Sequence, residues 1–122
     1  MPFNDDVVAA HAALIEKLFW SKRRPPLHLR DKIREGQRIE GWTIDLFFVR
    51  PAFAAPGKWI ESPIARLRYF PGLGVWKIYW MRADLKWHLY KPQPELVKQS
   101  ELLTLVECLR IVNEDRYNCF FG

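Results

Sequence analysis

Residues 66–90 read RLRYFPGLGVWKIYWMRADLKWHLY, and this stretch decides the predicted fold. Apolar and polar side chains alternate along it, which is typical of β-strands. Pro71-Gly72-Leu73-Gly74 and Ala83-Asp84 interrupt the alternation with residues that favour tight turns. The stretch therefore predicts three consecutive strands joined by short turns. Short connections of this kind favour antiparallel pairing between neighbouring strands.

The alternation sorts the side chains of these strands into two faces, because successive residues of a strand point to opposite sides of the sheet. One face is apolar and predicts a core: Ala65, Leu67, Tyr69, Trp76, Ile78, Trp80, Leu85, Trp87 and Leu89. The other face is basic and aromatic, and it carries no acid: Arg66, Arg68, Lys77, Tyr79, Met81, Lys86, His88 and Tyr90.

The segments on either side complete an α+β fold. Asn4 is a helix cap followed by apolar residues at helical spacing, and Pro25-Pro26 ends that helix. Residues 27–41 fit either a short helical turn over 27–35 or a strand over 32–39. We favour the strand, because a tight turn at Glu40-Gly41 would join it to a strand at 42–49, and a loop follows at 51–58. A last helix starts near Glu95 or Ser100. We predict an antiparallel β-meander of four or five strands, flanked by an N-terminal and a C-terminal helix. The stripe of the last helix should lie on the sheet: Leu102, Leu105, Val106, Leu109 and Val112.

The composition bounds the class of protein. A chain of 122 residues predicts one domain, residues 1–122, with a core that needs no disulfide or metal. The net charge of +5 permits contact with polyanions without requiring it. Cys108 and Cys119 match no zinc spacing and suit a reducing cytoplasm. The sequence shows no signal peptide and no membrane-spanning segment, so we expect no membrane partner.

The basic and aromatic face is the strongest candidate site. Single-stranded nucleic acid is bound by aromatic rings that stack on bases and by cations that follow phosphates. A solvated sheet surface uses the same side chains, since long cations and tyrosines also stabilise a sheet without a ligand. The hypothesis for nucleic acid or another polyanion assigns contacts to seven residues: Arg66, Arg68, Lys77, Tyr79, Lys86, His88 and Tyr90.

Two other functions stay open at this point. The chain is also interpreted as a protein-interaction module or a homodimer, through a sheet edge or the Phe120-Phe121 tail. A metal-dependent nuclease would use Asp84 and Lys86, with Asp45 or Glu61 as a further ligand, but Asp84 is also a common turn residue. We predict no catalytic residue, no cofactor and no metal, because no motif for nucleophilic, phosphate-binding or zinc chemistry is present.

Several short motifs, in order, resemble a small bacterial family of unknown function, domain of unknown function 3024. They include Arg50-Pro51, Lys86-Trp87-His88-Leu89-Tyr90 and Cys119-Phe120-Phe121-Gly122, together with the run from Pro63 to Tyr69 and Trp76-Lys77-Ile78-Tyr79-Trp80. Family members often carry an acid just before the Arg-Pro pair, where this chain has Phe48 and Val49. The resemblance covers the chain from about Arg30 onward. It implies a bacterial cytoplasmic protein and supplies no activity.

Overall fold

The computed structural model describes residues 2–90 and 103–121. Five strands form one sheet in the order β1-β2-β3-β4-β5, and every neighbouring pair is antiparallel. The strands are β1 (Arg34–Glu40), β2 (Thr43–Pro51), β3 (Trp59–Phe70), β4 (Val75–Met81) and β5 (Trp87–Leu89). The predicted α+β meander is confirmed.

The N-terminal helix begins where the sequence predicts. Helix α1 (Asp5–Ile15) is capped by Asn4, whose Oδ1 accepts a hydrogen bond from the backbone N–H of Val7 at 2.9 Å. A π-helical turn (Glu16–Trp20) and the short helix α2 (Ser21–Arg23) continue it. The segment ends before the paired prolines, because proline disfavours helical conformation at the residue before it. A 3-10 turn (Leu27–Leu29) leads towards β1.

The C-terminal helix, α3 (Leu105–Glu114), carries a capping box between Thr104 and Glu107. The predicted starts at Glu95 and Ser100, and the first stripe residue Leu102, lie outside the described residues. The stripe itself needs one correction: Val106 is 48% exposed, because it lies one position away from the core-facing line. That line consists of Leu105, Cys108, Leu109 and Val112.

Both helical segments pack on one face of the sheet. A single core cluster joins Ile15 and Phe19 from the N-terminal segment and Leu109 from α3 to sheet residues such as Leu67 and Ile78. The opposite side of the sheet, which carries Arg66, Arg68, Lys77 and Tyr79, is the outer face. None of the helices in the described parts of the chain is long and apolar enough to cross a bilayer.

A β-bulge in β3 changes which of its residues point outward. Leu46 of β2 pairs with Ala65, whereas the next residue, Phe47, pairs with Pro63, so Ile64 has no partner on β2. An extra residue of this kind shifts the alternation by one position. Trp59 therefore lies on the same outer face as Arg66, although one position is odd-numbered and the other even-numbered and a regular strand would place them on opposite faces.

The turn between β4 and β5 is one residue longer than Ala83-Asp84. The backbone N–H of Leu85 donates to the Arg82 carbonyl at 2.9 Å, and that of Arg82 donates to the Lys86 carbonyl at 3.2 Å. Leu85 has a left-handed φ of 61° and belongs to the turn. The predicted strand at residues 85–90 is thus too long, and β5 begins at Trp87.

Candidate nucleic-acid interface

Four of the seven predicted site residues lie together on the outer face. In the pairing of β3 with β4, Arg66 is opposite Tyr79 and Arg68 is opposite Lys77. Directly opposite side chains on one face of an antiparallel pair have Cβ atoms about 4.5–5.5 Å apart. The predicted parity of β3 and β4 is therefore correct, and it places two cations and one aromatic ring next to Arg66.

The predicted parity of β5 is wrong. Trp87 is opposite Met81 and Leu89 is opposite Tyr79, so both lie on the outer face rather than in the core. Tyr90 lies on the core side, where it is 5% exposed and packs against Phe120 with ring centroids 4.8 Å apart. The reason is Leu85: one additional turn residue moves every following side chain to the other face.

Burial has a chemical consequence at Tyr90. Desolvation raises the pKa of its hydroxyl to about 12. Buried in the core, this ring is not presented to a ligand on the outer face. The predicted stacking role of Tyr90 therefore has no geometric basis, and Trp87 is the aromatic ring that β5 contributes to the outer face.

His88 and Lys86 are also placed away from the outer face. His88 pairs with Trp80 on the core side, and its Nε2 lies 2.8 Å from Oδ2 of Asp84. Lys86 is exposed in the turn, where its backbone N–H donates to Oδ1 of Asp84 at 3.0 Å. The hydrogen bond from His88 lowers the pKa of the Asp84 carboxyl. His88 thus has a carboxylate as its near neighbour, where the sequence predicted cations.

Cations and aromatic rings contact each other across the outer face. The guanidinium carbon of Arg66 lies 4.9 Å from the centroid of the Trp87 ring. Arg68 and Lys77 approach the Phe70 ring at 5.1 and 5.0 Å. Such contacts contribute about 0.5–1 kcal/mol each at exposed sites. They orient the side chains of the outer face in the absence of a ligand.

The first two strands extend this pattern and also add acids to the face. Arg34 lies 4.4 Å from the centroid of the Trp59 ring, and Arg38 lies 5.1 Å from that of Phe47. Asp45 of β2 and Glu61 of β3 lie on the same side of the sheet. The face is therefore acid-free only across the part of β3 from Arg66 onward, β4 and β5.

Both of these acids are bound to arginines. Arg66 donates two hydrogen bonds to Asp45, at 2.7 and 2.9 Å, and this pairing raises the pKa of the guanidinium. Arg38 donates to Glu61 and lies 4.0 Å from Asp45. A two-bond arginine–carboxylate pair is well oriented and neutralises much of the arginine charge. Arg66 therefore orients the Trp87 ring, whereas much of its own charge is neutralised by Asp45.

Arg68 and Lys77 differ from Arg66 in this respect. Throughout residues 2–90 and 103–121, no carboxylate lies within ion-pair distance of either side chain. They face each other across adjacent strands, so their positive charges add locally. An anion placed between them would relieve that repulsion.

The acids invoked for a nuclease all have other partners. Asp84 is bonded within the β4–β5 turn, Asp45 to Arg66, and Glu61 to Arg38. Among the residues whose structure is described, no three His, Cys, Asp or Glu side chains form a group that could hold a metal ion.

Sequence reasoning missed three aromatic residues of the outer face, namely Trp59, Phe70 and Trp87. Phe70 follows the same alternation as Arg66 and Arg68, so the strand pattern was sufficient to place it. Trp59 is separated from Arg66 by the bulge at Ile64, and Trp87 follows the left-handed turn residue Leu85. Only the tertiary pairing places these two residues.

The chain matches, over residues 5–122, the family described as Domain of unknown function (DUF3024). The chain belongs to the DUF3024 family. The matched range includes all five strands, so the whole outer face lies within the DUF3024 domain. No curated protein and no solved structure matches the chain.

Proposed function

We propose that the outer face of this DUF3024 domain binds a polyanion, with single-stranded nucleic acid as the preferred ligand. One observation supports the proposal above the others. Arg68 and Lys77 face each other across β3 and β4 with no carboxylate partner in the described residues, against the ring of Phe70 and one outer-face position from Tyr79 on β4. Cations next to aromatic rings are the two groups that single-stranded nucleic acid requires.

The two kinds of side chain would have separate roles. Arg68 and Lys77 would contact phosphates, because they carry the charge that is not offset by an acid. Trp87 and Tyr79 would stack on bases, and each stacked base contributes about 1–3 kcal/mol in single-strand binding. Arg66 would hold the Trp87 ring in place, since Asp45 already neutralises much of its charge.

The expected setting is a reducing bacterial cytoplasm. Cys108 and Cys119 are both free thiols, and Cys108 is fully buried. Burial raises the pKa of the Cys108 thiol, so it remains an apolar packing group. Free cysteines of this kind are compatible with a compartment that contains nucleic acids.

The test is a titration of a labelled single-stranded oligonucleotide at several salt concentrations. Binding should weaken steeply with salt, because each phosphate contact releases counterions. The double variant Arg68→Ala/Lys77→Ala should bind at least about tenfold more weakly. It should also lower the log–log salt slope by about 1.4, since each contact to a single strand contributes about 0.7.

The matched control is Lys17→Ala/Lys22→Ala, which removes the same charge from exposed positions in the N-terminal helical segment. This control should bind like the parent protein if the outer face is the site. Trp87→Leu should weaken binding without changing the salt slope, because stacking releases no counterions. Equal losses of affinity in both double variants would show that binding depends only on the net charge of the protein. Absence of binding at low salt would contradict the proposal.

A further inference from the structure

The outer edge of β1 is an unpaired strand edge within the described residues. β1 is the first strand of the sheet, and β2 is its neighbour on one side only. The two-residue turn Gly41-Trp42, with Gly41 at a φ of 59°, closes on the pair Glu40 and Thr43. A turn of this length closes on a hydrogen-bonded pair, so even-numbered residues of β1 bond to β2.

The odd-numbered residues of β1 consequently point their backbone groups away from the sheet. These residues are Glu35, Gln37 and Ile39. No backbone hydrogen bond to another described segment is made by them. Native sheets protect such edges or pair them with another chain.

We propose that β1 pairs antiparallel with β1 of a second copy of this chain, about a two-fold axis at Gln37. In that register Glu35 meets Ile39 of the second copy, and Gln37 meets its own equivalent. All three positions have outward-pointing backbone groups, so the hydrogen-bond pattern matches on both strands. The seven residues of β1 would all be paired.

The charges of β1 select this register. Arg34 would lie opposite Glu40 of the second copy, and symmetry makes this pair twice. Gly36 would lie opposite Arg38 of the second copy, so this pair sets no two like charges against each other. Moving the axis one residue to Gly36 sets Arg34 against Arg38, and moving it to Arg38 sets two arginines together. Opposite charges stabilise a cross-strand pair and like charges destabilise it.

The core side of β1 supports the same axis. The indole N–H of Trp20 donates to Oε1 of Gln37 at 3.0 Å and so orients its amide. The amide N–H groups of Gln37 stay available to the equivalent side chain across the axis. A two-fold axis normal to the sheet would give a ten-stranded sheet with both outer faces on one side. This pairing does not depend on the ligand proposed above.

The first test is sedimentation equilibrium of the full chain over a range of concentrations. The parent protein should form a dimer whose population rises with concentration. Arg34→Glu should raise the dimer Kd at least about tenfold, because it creates two like-charge pairs. The double variant Arg34→Glu/Glu40→Arg should restore the parent Kd, because it exchanges the charges and recreates both ion pairs.

Lys58→Glu is the matched control, since it makes the same charge change in the exposed β2–β3 loop and should leave Kd unchanged. A monomer at every concentration would overturn the proposal. So would an Arg34→Glu variant that dimerises like the parent protein. Oligonucleotide binding, measured below the dimer Kd, reports on the outer face alone, so the two proposals can fail separately.

A second measurement tests the axis directly. Gln37→Cys, in a Cys119→Ser background, should form an inter-chain disulfide on mild oxidation. Hydrogen-bonded antiparallel pairs have Cα atoms about 5.5 Å apart, which is within disulfide range. Ile39→Cys in the same background should not cross-link, because position 39 faces position 35. Equal cross-linking of both variants, or of neither, would contradict the register.

Discussion

His11 is a histidine without hydrogen-bond partners in an aromatic cluster. Its ring centroid lies 4.7 Å from that of Phe3 and 5.4 Å from that of Trp76, both in edge-on geometry. Neither ring nitrogen has a hydrogen-bond partner in the described part of the protein. Burial lowers the pKa of His11 from 6.5, because the charged form is poorly solvated there.

The lowered pKa predicts a pH-dependent contribution to stability. The folded state keeps His11 neutral at pH values where the unfolded state already binds a proton. The contribution of neutral His11 to the free energy of unfolding is therefore fully present above pH 6.5. It is lost as the pH falls from 6.5 towards the pKa of His11 in the folded state. His11→Phe keeps an aromatic ring and removes the titration. Its Tm should fall less than that of the parent protein between about pH 7.5 and about pH 5.

The matched control is His28→Phe at an exposed position. This variant should follow the pH profile of the parent protein. If His11→Phe and the parent protein lose the same Tm on acidification, protonation of His11 is not the cause of the loss.

At the scale of an element, Gly36 and Phe47 are a cross-strand pair in which the Phe47 ring occupies the space that a side chain at position 36 would need. A Cβ atom built on Gly36 would lie 2.3 Å from Cε2 of Phe47. Phe47 is 8% exposed, and Arg38 lies over its ring. The ring therefore has little freedom to move aside, and β1 requires glycine at this position.

Gly36→Ala should destabilise the protein by roughly 1–3 kcal/mol, because it overpacks a well-filled site. Urea unfolding measures the change. Gly72→Ala is the matched control, since nothing lies within 4 Å of a Cβ at that position. It should change the free energy of unfolding by less than about 0.5 kcal/mol. Equal effects at both glycines would show that Phe47 adapts at no cost.

At the scale of the whole molecule, the C-terminal tail closes the core between the first and last helices. Asp115 is 8% exposed and accepts hydrogen bonds from the backbone N–H groups of Phe120 and Phe121, at 3.0 and 2.9 Å. The Phe121 ring stacks on Phe19, with centroids 6.1 Å apart. Arg23 lies 4.0 Å from the centroid of the Phe121 ring. The tail is thus packed against the core.

Asp115→Asn should loosen this closure. Asparagine tolerates the left-handed φ of 43° at this position, so the substitution mainly changes the hydrogen bonds. One acceptor oxygen becomes an NH₂ group that faces a backbone donor, at a cost of about 1–3 kcal/mol in unfolding free energy. Glu114→Gln, at an exposed neighbour, should cost less than about 0.5 kcal/mol. Chemical denaturation compares the two, and equal stabilities would contradict the role of Asp115.

The sequence by itself determined the fold class, the helix cap at Asn4, the order of the strands and the shared face of Arg66, Arg68, Lys77 and Tyr79. These features follow from local rules, because the alternation of apolar residues, the turn residues and the helix caps each depend on neighbours within a few positions of the sequence. Only the tertiary structure decided the outward position of Trp87, the burial of Tyr90 and the pairing of Arg66 with Asp45. A left-handed residue inside a turn and a bulge each shift the alternation by one. The sequence does not mark either of them, because leucine and isoleucine are typical of strands, yet Leu85 lies in the turn with a left-handed φ and Ile64 is the unpaired residue of the bulge.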